Sequence, residues 1–104
     1  MMINAHPASV MRSWRGWIRP EDRDSYRAYL ETTGLNDYRA THGNLGAIVV
    51  FRDVADGRCE VRTLPWWESR ADITSFAGED IDAAVFYPED DRYLIGRDTF
   101  VEVD

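Results

Sequence analysis

Between residues 10 and 18, "VMRSWRGWI" alternates as a strand does: Val10, Arg12, Trp14, Gly16 and Ile18 share one face, Met11, Ser13, Arg15 and Trp17 the other. Each face carries a tryptophan. "RPEDRDSYRAYLETTG" then changes to helical spacing, with Tyr26, Tyr29, Leu30 and Thr33 at i, i+3, i+4 and i+7. Pro20 suits the first turn, Glu21 and Asp22 complement the positive end of the dipole, and Gly34 is the expected stop. "LNDYRATHGN" reads as a loop. The Val, Ile and Phe of "LGAIVVFRDV" favour a strand, "ADG" is a hairpin turn with Gly57 free to take positive φ, and "RCEVRTLPW" is the returning strand. Pro65 cannot donate to a ladder, so it marks a bulge or the end of pairing.

Ser69 is the expected N-cap of "RADITSFAG", which places Ile73 and Phe76 on one side. "EDIDAAVFY" is expected to continue helically after Gly78, "PEDDRYL" to add a short helical turn, and "RDTFVEV" to close the chain as a fourth strand. The order β-α-β-β-α-β is the split βαβ pattern of a ferredoxin-like α+β fold, a four-stranded antiparallel sheet with helices on one face. The 104 residues suit a single domain, 10–103 in the fold and 1–9 a mobile tail. The uncovered face should turn polar if water meets it. Yet Ile48 and Val50 oppose Val49 and Phe51, and Trp66 opposes Trp67. The simplest cover is a second sheet, which predicts a homodimer packed sheet against sheet about a two-fold axis.

Two stretches give this pattern a family likeness. Trp67-Glu68-Ser69 opens the second helical region, and "VFYPEDDRYL" spans residues 85 to 94. With the order of elements and the aromatic strands, they resemble the antibiotic biosynthesis monooxygenase family of dimeric α/β barrels over residues 10 to 103. The resemblance implies a pocket between sheet and helices in each subunit. It also implies oxidation of an aromatic or polyketide-like substrate by oxygen without a cofactor, the substrate's own carbanion reducing the oxygen. Such chemistry needs an apolar cavity, a proton acceptor and donors for an enolate oxygen. Trp14, Trp67, Phe76, Phe86 and Tyr87 are the pocket candidates, and Arg12, His42, Arg62 and Tyr93 the polar ones. The haem-degrading branch has an asparagine, a tryptophan and an iron-ligating histidine where this chain has Trp14, Phe76 and Phe86. Phenylalanine cannot ligate iron, so that route is disfavoured.

Composition narrows the remaining classes. A net charge of −7 without a basic stripe opposes nucleic acid, and no apolar run approaches the ~18 residues of a membrane helix. All twelve basic residues are arginine, which removes lysine Schiff bases and P-loop phosphate binding. Cys59 is the single cysteine, and the N-terminal stretch lacks a basic, apolar leader, so a cytoplasmic location is expected. The acidic runs "GEDID" and "PEDDR" read as helix-start residues, and neither has metal-loop spacing. Three functional classes stay open: a cofactor-free monooxygenase, a non-catalytic dimer binding a small hydrophobic ligand, and an interaction scaffold.

Overall fold

The computed structural model describes residues 9–104; the expected tail, 1–9, lies almost wholly outside them. Strands β1 (Val10–Ile18), β2 (Asn44–Val54), β3 (Arg58–Trp67) and β4 (Leu94–Arg97) form an antiparallel sheet in the order β2-β3-β1-β4. This is the ferredoxin-like α+β fold. A two-residue strand, β5 (Glu102–Val103), also pairs with β1. The single closing strand read from "RDTFVEV" is therefore two pieces, β4 beginning earlier and β5 ending the chain. Between them the backbone leaves the sheet, and Phe100 bridges to Ala83.

Period-two burial is strict in β1 and holds at most positions of β3. Val10, Arg12, Trp14, Gly16 and Ile18 are buried on one face, as are Cys59, Val61, Thr63, Pro65 and Trp67. Glu60 breaks the alternation, shielded on the other face by Arg52 and Arg62. Pro65 neither ends β3 nor bulges it. It pairs with Ala47, and the strand continues through Trp66 and Trp67; the bulge lies opposite, between Asn44 and Gly46.

Helix α1 (Arg23–Thr32) lays Tyr26 and Leu30 on the core and follows a 3-10 turn, Pro20–Asp22. The stretch read as a loop after Gly34 is instead helix α2 (Gly34–Ala40), which buries Leu35 and Tyr38. The break falls one residue before the predicted stop, at Thr33, whose φ −120 and ψ −99 are non-helical. Helix α3 (Arg70–Ala77) starts as expected: the Ser69 hydroxyl accepts the Asp72 N–H at 3.2 Å. Ser69→Ala should lower stability by about 1 kcal/mol, read as a shift in the denaturation midpoint at constant slope.

Helical continuation after Gly78 does not occur. Residues 79–87 cross from α3 to α4 as a bend, a turn, an isolated bridge at Ala83 and irregular backbone, and only α4 (Asp90–Tyr93) is helical beyond them. Their backbone groups are bound by distant partners: Arg12 donates to the carbonyls of Ile81 (3.0 Å) and Ala83 (2.6 Å), and Ala84 N–H to Thr99 O (2.9 Å). The acidic residues of "GEDID" accordingly start no helix. No helix among the described residues is long and apolar enough to cross a membrane.

Candidate functional site

Three layers meet under this crossing segment. From β1 come Arg12 and Trp14, from α1 and α2 Tyr26 and Tyr38, and from the segment Phe86 and Tyr87; Thr63, Asp90 and Val101 complete the wall. They enclose a cavity of about 20 Å³, room for one water molecule. A solvent-open groove of about 440 Å³ runs outside, over Asp37, Thr41 and Phe76, and Val85 and Tyr87 line both spaces. An aromatic ring needs far more than the inner volume, whereas the outer groove is large enough for one.

Trp14 owes its pose to the strand beneath it. A Cβ on Gly16 would lie 2.7 Å from the Trp14 ring and 3.0 Å from Leu94, so glycine leaves space for the indole to lie flat. The indole N–H donates to Asp98 O at 2.8 Å, and Phe86 meets the ring edge-on at 6.2 Å.

Arg12 is 1% exposed and belongs to none of the ion pairs among the described residues. Burial weakens its hold on the proton, partly offset by Tyr38 and, less, by the charge of Asp82, yet a guanidinium remains charged at any physiological pH. The cavity therefore has a resident positive charge, held by two carbonyls and the face of Phe76. Tyr38 OH and Thr63 Oγ1 share a hydrogen bond of 3.3 Å, and burial raises the Tyr38 phenol above its usual range. Tyr87 OH donates to Asp37 at 2.6 Å; burial and then that carboxylate keep it neutral.

Of the sequence candidates, Arg12, Trp14, Phe86 and Tyr87 come together here. Phe76 lines the outer groove, and Trp67 is wholly buried behind Tyr38 and Phe76, on neither space. Tyr93 packs with Tyr26 and Tyr29 at 5.1 and 5.8 Å. His42 is exposed on the turn before β2, and Arg62 lies on the opposite sheet face, bonded to Glu60 at 3.0 Å. Sequence reasoning missed Tyr38, Thr63 and Asp90. Asp90 left one signal: it stands three and four residues before Tyr93 and Leu94, the inward positions of that turn.

No protein-family model matches the chain, and no curated protein does. Solved structures do. A Bacillus cereus protein, provisionally named an antibiotic biosynthesis monooxygenase, superposes with a TM-score of 0.62 at 16% identity, covering 93% of this chain and 91% of its own. Rv0793 from Mycobacterium tuberculosis superposes with a TM-score of 0.55 at 24% identity, covering 91% of each chain. At such identities the likeness is one of architecture. In topology and near-complete coverage, this chain has the antibiotic biosynthesis monooxygenase-like ferredoxin fold.

Proposed function

We propose that this protein is a homodimeric, cofactor-independent monooxygenase-type enzyme that oxidises a small, ionisable aromatic or polyketide-like molecule beneath the crossing segment, residues 84–87 moving outward to admit it. The observation that carries the reading is Arg12: a buried cation without a carboxylate partner, facing an aromatic chamber, favours an anionic ligand. A ligand enolate or phenolate is also the species able to pass electrons directly to oxygen. For a methylene activated by flanking carbonyl or aryl groups, one methylene and one dioxygen become one carbonyl and one water. The two C–H electron pairs reduce the dioxygen, one oxygen atom enters the product, and the other leaves as water with both methylene hydrogens.

Oxygen-electrode assays with anthrones and hydroquinones test this. For the anthrones, consumption of one dioxygen per carbonyl formed, with label from isotopic oxygen in the product, is the expected result; a hydroquinone merely dehydrogenated to its quinone would release peroxide and carry no label. Trp14→Ala should reduce the rate about tenfold or more, and by more than its loss of stability explains. Absence of turnover across the panel rejects the enzymatic reading.

The outer groove supports a second reading, a non-catalytic dimer that binds a small hydrophobic ligand, because it is open without any rearrangement. Mass spectrometry of the purified protein separates the two. An unchanged co-purified molecule supports the carrier, an oxidised one the enzyme.

A further inference from the structure

We propose that Asp90 is the proton acceptor of the chamber, taking the acidic O–H or C–H proton of a bound aromatic ligand and leaving the anion in the field of Arg12. This assignment rests on the oxidative reading above. Among the polar groups lining the chamber, Arg12 is a permanent cation and the hydroxyls of Tyr26, Tyr38, Thr63 and Tyr87 are neutral donors. Asp90 alone can accept a proton near neutral pH.

Its surroundings are unusual for a carboxylate. The residue is 4% exposed and joins none of the ion pairs among the described residues. One oxygen accepts Tyr26 OH at 3.1 Å, the other Tyr87 N–H at 2.6 Å. Both donors are neutral, and the walls around the carboxyl are largely aromatic. Burial pushes the carboxyl up; the bonds from Tyr87 and Tyr26 and the charge of Arg97, across on β4, pull it back, and neighbouring Asp91 adds to the rise. The Asp90 charge in turn adds slightly to the rise of the Tyr38 phenol on α2, after burial. The acceptor is thus stronger than an ordinary aspartate, as proton abstraction from a weak acid requires.

The transfer moves charge without creating it. The ligand's O–H or C–H bond breaks, an O–H bond forms on Asp90, and the electron pair stays on the ligand. One negative charge passes from Asp90 to a species that Arg12 attracts, and the chamber's net charge is unchanged.

Asp90→Asn is the near-isosteric test, with Asp90→Glu as the carboxylate-retaining control. With wild-type protein and a series of anthrones and phenols between about pH 5 and 9, kcat/KM should rise along an acid limb centred above the usual carboxylate range. In Asp90→Asn the limb should vanish and kcat fall about 10²-fold or more for substrates neutral at the assay pH, with little change for those already ionised. Asp90→Glu should restore part of the loss. Thermal melts separate a structural effect. Because the folded protein holds this proton more tightly than the unfolded chain, the stabilisation is full below the ordinary carboxyl range and lost as pH rises through the folded value. Asp90→Asn should therefore melt higher than wild type at neutral pH and lose that advantage in acid. Wild-type turnover with an unchanged Asp90→Asn rate and acid limb overturns Asp90 alone. No wild-type turnover overturns the oxidative reading and this assignment with it.

Discussion

Trp67→Ala should lower the stability of the folded chain by about 3–5 kcal/mol, a large share of the ~5–15 kcal/mol that holds a domain of this size together. Trp67 is 0% exposed, meets Tyr38 edge-on at 6.3 Å and tilts against Phe76 at 6.1 Å. Removing the indole opens a cavity where β3, α2 and α3 converge, and three short elements cannot all collapse into it. The substitution by phenylalanine sharpens the test. Trp67 Nε1 is buried and has no hydrogen-bond acceptor among the described residues, a cost of about 1–3 kcal/mol that Trp67→Phe removes along with part of the ring. The phenylalanine variant should thus lose far less than the alanine variant. Urea titrations followed by circular dichroism check both; an alanine variant within about 1 kcal/mol of wild type would show that the indole is not the centre of this core.

The parity of β1 and β3 was legible in the sequence because a strand's alternation is local and needs no partner to be read. It placed Trp14 with Arg12, and Trp66 opposite Trp67. The Ser69 cap was legible for the same reason. Helix α2 was not: Gly34, Asn36 and Asp37 have poor helix propensity, and the element exists because Leu35 and Tyr38 find the core. The crossing segment misled in the opposite direction. Ile81, Ala83, Ala84 and Val85 suit a helix in isolation, but their backbone is bound by Arg12 and by residues 99–101, contacts of long sequence separation. The candidate site inherits both errors. Its cation and Trp14 came from strand parity and Phe86 and Tyr87 from the family likeness, while Tyr38 lay in the unseen helix and Asp90 among acids read as dipole partners.

In the homodimer proposed above, Ile48→Asp should convert a dimer at micromolar concentration to a monomer with an unchanged far-ultraviolet spectrum. The prediction follows from the sheet face turned away from the helices. Ile48 is 47% exposed there and Val50 41%, with Leu64, Met11, Trp17 and Trp66 half-buried beside them. Trp66 lies over Gly46, so its ring spreads along the sheet and extends this apolar surface. Among the described residues nothing covers the face; Arg15, Glu60 and Arg62 divide it into an apolar cluster around Ile48, Leu64, Met11 and Trp66 and a separate Trp17, and a clustered exposed apolar patch favours a protein cover. In the proposed homodimer, a two-fold axis sets the same twisted antiparallel face against itself, with the Arg52–Glu60–Arg62 ion pairs lying within the face on β2 and β3. In that arrangement each Ile48→Asp substitution places an unpaired carboxylate in the apolar contact, at about 3 kcal/mol or more, and symmetry introduces two. The dissociation constant should rise about 10⁴-fold, which sedimentation velocity resolves directly. Val49→Asp, one residue along on the helix side, should instead disturb the fold before the assembly. Wild-type protein sedimenting as a monomer at micromolar concentration would remove the dimer and leave Trp66 and Ile48 to be covered by some other partner.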